Sequence, residues 1–118
     1  MNEGLLFDID AFCSWLAERE ADIVGYPGIG YSDPLSEWLS SVASRLYGVE
    51  GAVYGPIALD DCYWRRLPLW ARLFFNFTER YMFLRPVTGA EAFQALAEIE
   101  RQYSASCNVK GCVPLWLL

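Results

Sequence analysis

Three of the six prolines fix where helices can begin or must end in this 118-residue chain. Proline has no amide hydrogen and a locked φ, so a helix tolerates it only in its first turn. Asp33-Pro34 and Pro68 therefore mark two helix starts, and Arg85-Pro86 marks a break between a third and a fourth helix.

The periodicity between these marks fills in the elements. Asp8 and Asp10 precede Ile9, Phe12, Trp15 and Leu16, which share one helical face, so a first helix is expected over 8–21. Residues 22–31 carry Gly25, Pro27, Gly28 and Gly30 and read as an ordered loop rich in aromatic residues. In the second helix Asp33 caps, Pro34 leads, and Leu35, Trp38, Leu39, Val42 and Leu46 form the apolar stripe. Glu37, Ser40, Ser41, Ser44 and Arg45 make its wet face, and Gly48 fits its C-terminal cap. Val49 to Leu59 read as one or two brief strands or an extended loop, and Asp60-Asp61 as the cap of a further turn through Trp64.

A third helix is expected from Pro68 to about Leu84. Only Arg72, Asn76, Glu79 and Arg80 are hydrophilic along it, so it is central or lies at an interface. Thr88-Gly-Ala-Glu91 matches a capping box ahead of a fourth helix running to about Tyr103. Ala92, Phe93, Leu96, Ile99 and Tyr103 form its apolar face. The tail, 104–118, ends in Val113-Pro-Leu-Trp-Leu-Leu118, too apolar to hang free in water, and is expected to dock on the core or on a second subunit. The expected fold is mainly α: one domain, 1–118, a small bundle of about four helices with at most a minor extended element around 49–59.

Composition then narrows function. Five Trp, seven Tyr and seven Phe supply more ring surface than so small a core easily encloses, so part of it should face a partner. The net charge of −6 is unevenly placed. Residues 1–61 hold eleven acids and two bases, and residues 62–118 hold four acids and seven bases. So acidic a chain is a poor general binder of phosphate backbones, and nucleic acid is not an expected partner. The opening Met1–Asp8 lacks a basic n-region and no apolar run is long enough to span a bilayer, so the expectation is a cytoplasmic chain with no membrane partner.

The chain has no histidine. That removes Ser-His and Cys-His nucleophile pairs and histidine-ligated metals, and no cofactor or metal is expected. Asp8, Asp10, Asp60 and Asp61 read as helix caps rather than a cation site. Cys107 and Cys112 flank Lys110, the only lysine, but the spacing is not that of a thioredoxin-type pair, and whether they pair is open. Gly25-x-x-Gly28-x-Gly30 departs from both phosphate-loop patterns, and Asp33 would repel a phosphate from the helix behind it. Asn76-Phe-Thr78 is formally a glycosylation sequon but falls inside a helix.

Residues 63–85 interleave arginines with Tyr63, Trp64, Trp70, Phe74 and Tyr81, the mixture found at interface hot spots. The candidate interface is Trp64, Arg65, Arg66, Trp70, Arg72, Arg80 and Trp116. The reading is a non-enzymatic protein–protein interaction module of unknown target, able to self-associate as a homo-oligomer. Two alternatives stand beside it: a small acidic inhibitor or nucleic-acid mimic, which would cluster Asp22, Asp33, Glu37, Asp60 and Asp61 on one face, and a carboxylate- or thiol-dependent enzyme.

Overall fold

Asp8 opens the first helix as its position demands: its Oδ1 accepts the Asp10 amide at 2.9 Å. The computed structural model describes residues 8–57, 64–106 and 113–117. Its elements in chain order are α1 (Ile9–Ala17), β1 (Ile23–Gly25), α2 (Pro34–Ala43), β2 (Tyr47–Glu50), β3 (Val53–Pro56), β4 (Arg65–Arg66), α3 (Leu69–Tyr81), β5 (Val87–Thr88) and α4 (Gly89–Ser106), with a final 3-10 turn at Leu115–Leu117.

The mainly helical bundle expected from periodicity is therefore corrected to an α/β fold. Among the described residues four helices, 54% helical content, stand beside 15% strand in two antiparallel sheets, β1–β5 and β2–β3–β4. The reason is length: strands of two to four residues leave no readable alternation, and β1 finds its partner far away in sequence, Ile23 opposite Thr88. The expected cap of Asp60-Asp61 and the Cys107–Cys112 pair lie outside the described residues.

The second helix also ends earlier than its apolar stripe suggests. Ser44 takes a left-handed conformation (φ 56°) after Ala43, and Gly48 lies inside β2 rather than at a helix cap. Val42 and Leu46 consequently point to solvent, whereas Ser40, assigned to the wet face, works inward. Its Oγ accepts the Tyr47 amide at 2.9 Å and donates to the Tyr47 carbonyl at 3.2 Å. One turn earlier Ser36 Oγ donates to Asp33 Oδ2 at 2.6 Å and accepts the Val49 amide at 3.1 Å. Two serines on one face of α2 thus satisfy the backbone of β2, which binds helix to strand.

The hairpin has a gap in its side chains that two rings fill. Gly48 and Gly55 are cross-strand partners. A Cβ on Gly48 would meet the Tyr31 ring at 2.4 Å, and one on Gly55 the Trp64 ring at 2.7 Å, so each glycine is covered by an aromatic ring. The two rings lie 6.3 Å apart, and Tyr31 donates to Glu50 Oε1 at 3.0 Å.

The core gathers around Phe12. Its ring lies 4.8 Å from Trp38 of α2 and 5.8 and 5.3 Å from Trp70 and Phe74 of α3. All four side chains are essentially sealed from water. Val24 of β1, Val87 of β5, and Ala92, Leu96 and Ile99 of α4 extend this core, and Leu115 of the tail is buried in it.

Where α1 ends, α4 begins. The Gly89 amide donates to the carbonyls of Arg19 (3.2 Å) and Asp22 (3.1 Å), and the Ala90 amide to that of Glu20 (3.0 Å). Carbonyls of the turn that follows α1 thus meet the unpaired amides at the start of α4. A Cβ at Gly89 would lie 2.4 Å from the Arg19 oxygen, so only glycine fits. The capping box is present: Thr88 Oγ1 accepts the Glu91 amide at 3.2 Å and Glu91 Oε1 accepts the Thr88 amide at 3.1 Å. Phe93, expected inside, is 49% exposed.

Three stability outcomes follow. Gly89→Ala is expected to lower stability by about 1–3 kcal/mol through overpacking, more than Thr88→Ala, which loses a cap worth about 0.5–2 kcal/mol; chemical denaturation ranks them. The two caps titrate in opposite senses. Burial pushes the Asp33 carboxyl above its ordinary range, against the pull of its bonds from Ser36, so the stability it adds is full at low pH and is lost as pH rises through its folded pKa. The Thr88 amide and the Arg85 guanidinium hold Glu91 below its ordinary range, so its share is present at neutral pH and is lost as pH falls through its folded pKa. Denaturation at about pH 7 and about pH 3, which bracket the carboxylate range, should show Asp33→Asn costing less at the higher pH and Glu91→Gln costing more there.

Candidate interaction surface

Helix α3 has apolar residues on nearly every side, and its last turn has nowhere to bury them all. Trp70, Ala71, Phe74, Phe75 and Thr78 take the core side. Along the adjoining flank, turned toward α4, Leu73, Asn76, Phe77, Arg80 and Tyr81 face Ile99, Gln102, Tyr103 and Ser106 of α4 across an open groove of about 400 Å³. The rings of Phe77 and Tyr81 pack at 4.7 Å, and the Arg80 guanidinium lies 5.3 Å from the Tyr81 ring. Tyr103 donates to the Val113 carbonyl at 2.7 Å, which fastens the C-terminal segment beside the groove.

Beyond Tyr81 the chain turns sharply rather than continuing in helix to Leu84 as expected. Met82 leaves helical geometry (φ −127°) and Leu84 adopts a left-handed conformation (φ 62°). For a branched side chain that conformation costs about 1–2 kcal/mol. It is held by the Leu84 amide, which donates to the Pro27 carbonyl at 2.7 Å. The neighbouring Phe83 ring lies on Gly28, where a Cβ would come within 2.1 Å of it. Gly28 itself has a positive φ of 86°, so glycine is required there twice over. The 26–32 loop is closed by its own bonds, from Tyr26 N to Ser32 O (2.7 Å), from Ile29 N to Tyr26 O (3.2 Å) and from Ser32 N to Ile29 O (2.9 Å). The result is an apolar ridge of Phe83 and Leu84 on the 27–28 loop, exposed by 56 and 55%, with Ile29 of that loop and Tyr81 of α3 also exposed, by 44 and 58%.

The seven candidate interface residues scatter. Trp70 is 1% exposed and packs against Phe12 and Trp38, so it is corrected from interface to core. Trp64 lies half-buried over Gly55. Arg65 and Arg66 sit exposed on β4, the last strand of its sheet. Trp116 is half exposed above Cys13 and Phe93. Only Arg72 and Arg80 share a line, on α3. Arg72 is half-buried, and its Nε is shut off from water with no acceptor in reach.

The sequence carries only an indirect signal of the ridge. Phe83 and Leu84 look like a last helical turn, and only a Gly28 needing both positive φ and an open face hints that a ring comes to rest on it. Of the acids proposed to cluster, Asp33 is buried as a cap, Asp22 and Glu37 are exposed, and Asp60 and Asp61 lie outside the described residues. Cys13 is half-buried, and burial and the nearby Asp10 push its thiol upward, away from the reactive thiolate. Among the described residues no three or more of Cys, Asp and Glu gather as a metal site, and no helix is long and apolar enough to cross a membrane. Compared with family models, with curated proteins and with solved structures, the chain matches none.

The sorting of the candidates is testable. Trp70→Ala should cost about 3–5 kcal/mol as a cavity in the aromatic core, whereas Arg80→Gln, at the surface, should stay within about 0.5 kcal/mol of the parent. Denaturant midpoints decide: a mild Trp70→Ala would return that residue to the surface.

Proposed function

We propose that this chain is a non-enzymatic protein–protein interaction module that meets its partner through the end of α3. What supports the reading above all is Leu84. A branched residue is held in a disfavoured backbone conformation, by a hydrogen bond from its own amide, with its side chain in water. Stability alone would place glycine there. Exposed apolar side chains fixed by strain and hydrogen bonds, rather than loose in a frayed end, are the raw material of a binding surface. Phe83 and Tyr81 beside it are rings of the kind that dominate interface energetics. The same surface is open to a second copy of the chain, so the reading covers self-association as well as a different partner.

Leu84→Gly separates stability from function. It removes the apolar side chain and the strain together, so the melting temperature is expected to hold or rise while binding is lost. The direct experiment places a photoreactive phenylalanine analogue at position 83 in the native host, and at the exposed position 42 on α2 as a control. The reading expects a discrete protein adduct, or a crosslinked dimer, from position 83 that disappears when Leu84→Gly is combined with it. Equal adducts from both positions, or an adduct indifferent to Leu84→Gly, would contradict it.

A further inference from the structure

We infer that the seam between α1 and α4 is a second interaction surface, which takes a basic amphipathic helix of a partner protein, its apolar stripe along the seam and Lys or Arg on its flanks. The seam shares no residue with the Phe83–Leu84 ridge, so the two surfaces stand or fall separately.

Three hollows of about 330, 90 and 340 Å³ follow one another along α4. The first and second share Phe93, and the second and third share Glu100 and Trp116, so they form one trough. Ala90, Phe93, Ala97, Glu100 and Ser104 line it at helical spacing, so it runs about 21 Å, the length of a helix of about fifteen residues. The other wall is α1, running antiparallel: Ala17 shares the hollow of Ala90, and Ile9 and Cys13 share that of Ala97.

The relief of the trough suits a helix. Phe93 and Trp116 stand 49 and 50% exposed over it, each beside a neighbour sealed in the core, Ala92 and Leu115. Between these raised rings Ala90, Cys13 and Ala97 leave recesses, and side chains of a crossing helix interdigitate with such a surface. An extended peptide would find no ladder to join. Both long walls are helices bonded within themselves, and the first amides of α4 are spent on the turn after α1. A helix brings its own backbone bonds and needs only the apolar contact.

Charge sets the flanks of the ligand. Glu20 lines one end of the trough and Glu100 the other. Besides burial, Asp10, Glu100 and Asp8 push the Cys13 thiol upward, so all three carboxylates lie around it. These four acids are exposed, and none forms an ion pair among the described residues. No Lys or Arg is among the described lining residues. The arginines adjacent in sequence are engaged elsewhere, Arg19 with Glu18 and the Trp15 carbonyl, Arg101 with Glu98. An apolar trough with an acidic rim repels polyanions and favours positive charge beside an apolar stripe.

Synthetic peptides of about fifteen residues test this on the full chain by fluorescence anisotropy. One carries Leu at helical spacing with Lys on the flanks, one carries Glu in place of Lys, and one has the Leu and Lys order scrambled. The Lys peptide should bind at least tenfold more tightly than either control and gain helical circular dichroism as it does. Phe93→Ser, at an exposed position, should weaken it at least tenfold. Glu20→Lys with Glu100→Lys should turn the preference toward the Glu peptide, and Leu84→Gly should leave binding within twofold. Equal binding of the three peptides, binding without helix, or indifference to Phe93→Ser would overturn the inference. So would either of two other occupants. A dimer in sedimentation that Phe93→Ser dissolves gives the trough to a second copy. Tighter binding of the Lys peptide once Leu5, Leu6 and Phe7 are all changed to Ser gives it to the chain's own first residues. Absence of peptide binding beside an intact position-83 adduct removes the trough alone.

Discussion

One ring holds three helices together. Phe12 stands at the meeting point of Trp38, Trp70 and Phe74, with ring centroids no farther than 5.8 Å, tilted or edge-on as aromatic quadrupoles prefer. Because α1, α2 and α3 each contribute to it, fixing this cluster fixes their mutual orientation. The consequence for α3 is direct. The face that carries Trp70 and Phe74 inward continues through Leu73, Phe77 and Tyr81, three and seven residues on, and these residues wall the groove shared with α4. The surface proposed for interaction is thus continuous with the helical face that builds the core.

The strands depend on polar links rather than on rings. Asp33, Ser36 and Ser40 tie α2 to β2 through the Tyr47 and Val49 backbone. Tyr31 and Trp64 then cover the paired glycines of the hairpin. Each of the two sheets would be marginal alone. They persist because β2 is bonded to a helix, and because β5 leads directly into α4, whose first amides are held by the turn after α1.

Local signals were legible in the sequence and distant ones were not. Asp33-Pro34, Pro68 and the Thr88–Glu91 box act within one turn, and each helix begins where they place it. Gly48 looked like a helix cap because a glycine after an apolar helix usually is one. Here its missing side chain admits the Tyr31 ring, from a residue seventeen positions earlier, which no local pattern reports. Ser40 was assigned to solvent on helical phase alone, since the strand it satisfies is invisible to that phase. Composition alone points Trp70 to an interface, yet in a chain this aromatic several rings must form the core, and Trp70 is one of them. Of the candidate surface only Arg80 is legible in the sequence, because a helical strip is periodic and a ridge assembled from two loops is not.

The central claim is that the apolar ridge is built into the fold and is not a frayed helix end. Its keystone is the Leu84 amide bonded to the Pro27 carbonyl at 2.7 Å, under a side chain that remains 55% exposed. Amide hydrogen exchange followed residue by residue by NMR measures that bond directly. The Leu84 amide should exchange far more slowly than an unstructured peptide amide, in step with Met82, whose amide is bonded to Thr78 within the last turn of α3. Exchange of Leu84 at the rate of a free peptide, with Met82 still protected, would show a loose end in place of a prepared surface and would contradict the account.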